Sequence, residues 1–432
     1  MNNETLGRAT LAHCADGPDA LLTATLKGAP DAATLAEAII DIHHSGRERR
    51  VADQGAGRGL DDMFLLGAAR WGRRVDHRGL KKFHAALARW SARLDSLPSL
   101  APDSLQTVFT GSGSMWIIAP GHACWPRQLA DLSERSDWAP PLCLWGRGDP
   151  AALASCEAPV AIVGSRGANG YGCDTARTIG HHVALRGHCV VSGGAYGADA
   201  AAHWGAIRAR EQYPQRAGRT VAVFAGGLSH IGPQRNATLF NRILDTSGAL
   251  ISEMSPSTIP EARRFLLRNR IIAALAHSVV VAQARRRSGA LNTANWAADL
   301  GRDVYAVPGD ITNPNNAGCN MLIHEHRAIL LPDSEDVSEI CHPDHQPPAT
   351  TEQPAPHADG QQALILKTIR SCRARGEQAN EDTLLETMTA AHPDQSATRT
   401  IVWLTGQLGV MQAQGLIRRA EDGGFRITSA NS

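Results

Sequence analysis

A chain of 432 residues is too long for one typical domain, and a hydrophobic content of 43% excludes global disorder. The 43 basic residues against 42 acidic ones leave a formal charge of +1, so a polyanionic partner has to be argued from where charges sit, not from their sum. Lysine occurs only at Lys27, Lys81, Lys82 and Lys367, which excludes a P-loop or Schiff-base lysine from residues 83–366.

Residues 1–100 read as a helical domain. Leu35 to Ile42, Leu60 to Trp71 and Leu80 to Leu94 repeat apolar residues at three- and four-residue spacing. Residues 101–150 hold prolines and two short apolar runs, Trp116 to Ile118 and Leu142 to Trp145, an irregular strand-bearing lead-in. Six apolar runs follow: Val160 to Val163, Cys189 to Val191, Thr220 to Phe224, Ala249 to Ile251, Ser278 to Val281 and Asp303 to Val307. Their near-regular spacing, with helical segments between, predicts an α/β fold: a Rossmann-like parallel sheet covered on both faces, within residues 101–333. Residues 334–360, rich in Pro, His, Asp and Thr, read as a flexible linker. Residues 361–432 offer helices around 363–372, 382–390 and 397–414. Two strand-like runs then flank a Glu-Asp-Gly turn, which predicts a winged-helix-like domain.

The nine cysteines are odd in number and form no CxxC pair, which speaks against a disulfide framework or a zinc site and for reduced thiols in a cytosolic protein. MNNETLGRATLAHC lacks the basic stretch and apolar run of a signal peptide, and no uncharged apolar stretch is long enough to span a bilayer. A cytoplasmic protein without a metal, a cofactor or a membrane partner is expected.

In an open parallel sheet, ligands bind beyond the carboxyl ends of the strands. Here those ends read Gly164-Ser165-Arg166, Ser192-Gly193-Gly194, Gly226-Gly227, Ser252-Glu253, Gln283 and Pro308-Gly309. Small residues let an anion approach main-chain amides and helix N-termini, although strand-to-helix turns use glycine for purely structural reasons too. A dinucleotide is not favoured. GSRGANGYG is not a GxGxxG fingerprint, and Ser192-Gly193 stands where the ribose-binding acid is expected. From Glu261 to Asp303, eight arginines against three acids leave +5. A solvated helix face is the ordinary explanation of such a run. However, Arg285-Arg286-Arg287 follows a strand directly, and Arg268-Asn269-Arg270 precedes the apolar IIAALA. With Arg166 these guanidiniums are placed to track a phosphate backbone. Tyr196, in a glycine-rich turn, and Phe265 are candidate stacking platforms, with a core role the alternative for Phe265.

At these positions the chain resembles the DNA-processing protein A family (DprA, also called Smf). The runs are IVGSR (162–166), SGGAYGADAAAH (192–203), GGLSHIGPQRN (226–236), RFLLRNRIIAAL (264–275), RSGALNTA (287–294), VPGD (307–310) and GCNMLI (318–323), with lead-in runs at 117–132 and 142–149. The resemblance implies a Rossmann-type fold that binds single-stranded DNA. It implies a cytoplasmic role in natural transformation, protecting incoming strands and loading RecA on them, and it implies a homodimer. A short helical (SAM-like) N-terminal domain and a winged-helix-like C-terminal one also occur in the family. By resemblance the DNA pocket uses Arg166, the turn Gly226 to Asn236 with Gly227, Pro233 and Arg235, and Arg268 to Arg270. Gly164, Ser165, Ser192, Gly193, Gly194, Tyr196, Phe265, Arg287, Ser288 and Gly289 complete the candidate set. The chain departs from the family in three places. Tyr196 stands where an arginine is usual, Gly232-Pro233 replaces Tyr-Pro, and Phe265-Leu266 replaces Phe-Pro.

Two other readings remain open. A hydrolase acting on a nucleotide or nucleoside phosphate needs a carboxylate near the phosphate turn, and Glu253, Asp199 and His203 are the candidates. Each also has a plain structural reading, as turn anchor, helix cap and packed helix residue. An interaction scaffold is the second. Residues 361–432 carry Arg399, Arg418, Arg419 and Arg426 but also Glu381, Asp382, Glu386, Glu421 and Asp422, so their charge shows no preference for DNA.

Overall fold

The computed structural model describes residues 1–48, 54–133, 139–342, 360–375, 378–391, 397–413, 416–420 and 423–427. Most of the expected linker, from 343 to 359, lies outside them, as do Gly415, Glu421, Asp422 and Thr428. The chain divides into two units, Met1–Ala349 and Thr350–Ser432.

The first unit begins with five helices: α1 (Asn3–Ala15), α2 (Ala20–Gly28), α3 (Ala32–Glu48), α4 (Gln54–Arg70) and α5 (His77–Arg93). Asn2, Asp19 and Asp76 start α1, α2 and α5 by accepting hydrogen bonds from otherwise unpartnered first-turn amides. The helices close over Leu11, Leu22, Leu35, Phe64, Phe83 and Trp90. Helix α1 faces two ways. Leu11 and Cys14 belong to this helical core, while Ala9 and Ala12 pack with Phe109 of α6 (Pro102–Phe109) and with Trp145, against the sheet.

The sheet has nine strands: β1 (Trp116–Ile118), β2 (Leu144–Gly148), β3 (Val160–Gly164), β4 (Val190–Ser192), β5 (Thr220–Val223), β6 (Ala249–Ser252), β7 (Ser278–Gln283), β8 (Asp303–Ala306) and β9 (Ile329–Leu330). Their order is β1-β2-β6-β5-β4-β3-β7-β8-β9. β1 and β2 are antiparallel additions beside β6, and β3 to β9 run parallel. The six apolar runs of the sequence are β3 to β8. They read as continuous because both faces are covered. Val160 and Ile162 face α7 (Gly170–Leu185) and α8 (Ala198–Gln212), whereas Ala161 and Val163 face α10 (Ala262–Leu275) and α11 (Ala290–Asp299). Helix α9 (Ala237–Asp245) packs with Ala222 and Leu250, and α12 (Ala317–His324) follows β8.

This order creates one topological switch. From β3 the chain winds outward through β4 and β5 to β6, then α10 carries it back to β7 on the other side of β3. Beyond the carboxyl ends of β3 and β7 a crevice must open.

The second unit has its own apolar core, including Ile365, Ile369, Leu384, Leu404, Met411 and Phe425. It contains α13 (Gly360–Arg375), α14 (Glu381–Ala391), α15 (Ala397–Ala413) and an antiparallel pair, β10 (Ile417–Arg419) with β11 (Phe425–Ile427).

No helix among the described residues is long and apolar enough to cross a membrane. All nine cysteines are free thiols. Burial pushes those of Cys14, Cys319 and Cys341 up to about 12, so they stay protonated and unreactive near neutral pH.

Candidate functional site

Two adjoining cavities occupy the crevice. The larger, of about 670 Å³, lies between the turn after β3 and the turn after β7. The smaller, of about 210 Å³, lies over the turns after β4 and β5. Arg166, Ala195, Phe265 and Arg268 line both, so these residues form the ridge between them. The ridge is a stack: the exposed Arg166 guanidinium lies 4.4 Å from the Phe265 ring centroid.

Gly164, Ser165, Asn269, Arg287, Ser288 and Gly289 line the larger cavity, joined by Arg285 and Leu266. Arg285, Arg286 and Arg287 are all exposed, and the Arg285 Nε donates to Asn315 at 2.6 Å. Gly193, Tyr196, Gly226 and Pro233 line the smaller cavity, with Phe224, His230 and Pro260. Tyr196 is 39% exposed. The structure therefore brings thirteen of the nineteen candidates to one edge.

The other six lie elsewhere, each for a visible reason. Ser192 is fully buried, and its hydroxyl donates to the Ile162 carbonyl at 2.6 Å. Asn236 donates its amide to the carbonyls of Gly194 and Ala195, so it shapes the second turn from outside. Gly194 packs near Phe240, and Gly227 is closed over by the main chain at Ser255 and Pro256. Arg235 is exposed but lines neither cavity. Arg270 turns away from the edge and pairs with the buried Glu253.

The arginines of α10 correct the expectation that this segment tracks phosphates. Arg264, Arg268 and Arg270 are 5%, 6% and 2% exposed. Arg264 grips the Asp16 carboxylate with two hydrogen bonds, of 3.0 and 2.9 Å, and Asp16 also pairs with Arg93 of α5 at 3.0 Å. Arg268 donates to the Gly193 carbonyl at 2.8 Å and to the Val223 carbonyl. Desolvation lowers its pKa to about 10, against the opposing pull of Asp199, and it remains a cation. Asn269 links the Gly289 carbonyl to Asn292. These side chains hold the crevice together, while Arg166 and Arg285 to Arg287 present charge to solvent.

Gln283 at the end of β7 ties the turns to one another. Its side chain accepts from the Asn169 amide and donates to the side chains of Asn169 and Asn316. Gly197 carries φ +74, and a side chain there would collide with the Ser165 carbonyl, so the turns after β3 and β4 touch through glycine.

The carboxylates of the hydrolase reading do not converge. Glu253 lines a separate small crevice with Asp19 and Leu142. His203 is buried against Thr220, 2.7 Å from its hydroxyl. Only Asp199 reaches the larger cavity. Its carboxylate accepts hydrogen bonds from the amides of Gly164, Gly193 and Ala195 and faces Arg268, while burial pulls its pKa upward. The sequence offered Asp199 as a hydrolase carboxylate or a helix cap; that it closes the turns of two strands follows from their adjacency in the sheet. Phe224 and Pro260 were likewise hidden, because a strand end and a loop proline carry no sign of a shared cavity.

Residues 116–342 match the family model described as DNA recombination-mediator protein A. The putative DNA processing protein DprA of Mycobacterium tuberculosis (strain CDC 1551 / Oshkosh) is 40% identical over 246 residues, covering 56% of this chain and 60% of that protein. The protein Smf of Escherichia coli K12 is 37% identical over 232 residues, covering 53% and 59%. The match thus spans about 60% of the length of these curated relatives. The crystal structure of DNA processing protein A from Streptococcus pneumoniae superposes with a TM-score of 0.53 at 24% identity, covering 79% of this chain and 99% of that one, a likeness of fold.

Proposed function

The chain belongs to the DNA recombination-mediator protein A family, and from that premise we propose that it is a single-stranded DNA-binding protein whose strand lies across the switch-point crevice. One observation carries the reading: exposed arginines, Arg166 and Arg285 to Arg287, flank two cavities walled by Tyr196, Phe224 and Phe265. Cations along a groove neutralise phosphates regardless of sequence, and rings accept any base. A duplex keeps its bases stacked inside and has none to offer the cavities.

The thirteen edge residues are the contact set. Gly194, Gly227, Asn236 and Ser192 shape it from behind, and Arg268 and Asn269 build its floor. The wider role is DNA processing during natural transformation: protection of incoming strands and help in loading RecA, by a cytoplasmic homodimer that acts as a mediator and not as an enzyme. The names of the relatives support this, since they are DNA processing proteins. On the same footing the sheet domain is Rossmann-like, residues 1–100 are a helical SAM-like domain, 334–360 a linker and 361–432 a winged-helix-like domain. The three helices and the β10–β11 pair support the last of these.

The test is the affinity of the full chain for oligo-dT and for a duplex of equal length across a salt series. Oligo-dT binds more tightly, with a log–log slope of about −0.7 per phosphate neutralised. Equal affinity for the duplex, or binding independent of salt, overturns the reading.

A further inference from the structure

The amides that converge at a parallel-sheet switch point, together with the N-terminus of the next helix, ordinarily form an anion site. In this chain the position is taken. Asp199 lies in the first turn of α8, 5% exposed, and its carboxylate accepts from the amides of Gly164, Gly193 and Ala195. A Cβ on Gly193 would stand 2.6 Å from Asp199 Oδ2 and equally close to both terminal nitrogens of Arg268, so carboxylate, guanidinium and bare main chain fill the space between them. The amides that would serve a phosphate are engaged by this side chain, and the nearest cation, Arg268, by the carbonyls of Gly193 and Val223.

We propose that the Asp199 carboxyl group occupies the phosphate position of the crevice, so that the site takes internal stretches of a DNA strand and discriminates against phosphate termini and free nucleotides. A terminal phosphate entering the larger cavity meets a carboxyl group that already holds the amides. An internal strand has no need of that position. Its phosphates reach the exposed Arg166 and Arg285 to Arg287, and its bases reach the rings. Asp199 is a specificity-determining residue in this account, setting what is refused.

The inference rests on the proposed single-strand binding, and its test separates the two. The full chain is compared with 5′-hydroxyl and 5′-phosphorylated dT oligomers of equal length. In parallel, inorganic phosphate and dTMP are titrated without DNA into the wild type, Asp199→Ala and Asp199→Asn, read by calorimetry and thermal melting. The wild type is expected to bind both oligomers within about twofold and to bind neither small anion, as a filled anion site requires. Asp199→Ala, which frees the amides and empties the space beside Arg268, is expected to bind phosphate and dTMP and to prefer the 5′-phosphorylated oligomer about tenfold or more. Asp199→Asn keeps the volume and an oxygen for the amides, and is expected to bind neither small anion, so the two variants separate an emptied position from a lost charge. A wild type that prefers the phosphorylated end tenfold overturns the proposal, even if neither variant folds. So does a folded Asp199→Ala that ignores phosphate. Failure of every oligomer to bind, with phosphate binding gained in Asp199→Ala, rejects the function and leaves the filled anion site standing.

Discussion

Arg166, Tyr196 and Arg268 line the same smaller cavity, yet they do different work. Arg166 is exposed and stacks on Phe265. Its loss removes a charge that a phosphate can meet. Arg166→Ala is therefore expected to flatten the salt dependence of oligo-dT binding by about 0.7 in log–log slope. Tyr196→Ala removes a ring, costing about 1–3 kcal/mol of affinity with the slope unchanged. Arg268→Ala strands the buried Asp199 without its cation and is expected to cost about 3–5 kcal/mol of stability. One set of salt titrations and denaturant melts on the three variants checks all of this, and equal slopes for Arg166→Ala and wild type contradict it. The sequence put Arg166 and Arg268 in one class, because an arginine code says nothing of burial. The partners that decide it are Gly193 and Val223 for Arg268 and Asp16 for Arg264, which lie 75, 45 and 248 residues away.

At the scale of elements, α8 shows how one helix serves both core and site. Asp199 in its first turn closes the nest, and His203 one turn later is buried against β5. The Thr220 hydroxyl donates to the Val190 carbonyl at 2.9 Å, so it can only accept from the His203 Nδ1–H. That tautomer leaves Nε2 bare in a buried place without a hydrogen-bond partner. Desolvation, with Arg268 adding to it, lowers the His203 pKa from 6.5 to about 3. Between those values the unfolded chain binds the extra proton and the folded chain does not. Stability is therefore complete above about pH 6.5 and falls as the pH drops toward 3, at a limiting rate of roughly 1.4 kcal/mol per pH unit. His13, buried between Ser255 and Ser96, shifts in the same direction. Denaturant midpoints are expected to decline from pH 7 to pH 5, and His203→Gln to decline less steeply. A variant as acid-sensitive as the wild type would assign the effect elsewhere. The strands β3 to β8 were legible because both parities of each run are apolar. The bifacial role of α1 was not, since Ala9 and Ala12 differ from Leu11 and Cys14 only in what they meet.

At the scale of the whole molecule, the net charge of +1 conceals an uneven distribution. Three arginines of the basic segment Glu261 to Asp303 are turned inward, with Arg264 and Arg270 paired to Asp16 and Glu253 and Arg268 set against Asp199. Arg285 to Arg287 remain for a ligand. The basic run in the sequence therefore overstated the charge that the crevice edge presents to solvent. The two units Met1–Ala349 and Thr350–Ser432 each have a core, and both carry exposed arginines, so sequence alone does not say which one meets DNA. Amide hydrogen exchange on the full chain, with and without a saturating dT oligomer, addresses this most directly. Protection is expected at the turns 164–168, 193–197 and 285–289, which border the crevice. Unchanged exchange at those turns, with protection confined to residues 360–427, would contradict the account.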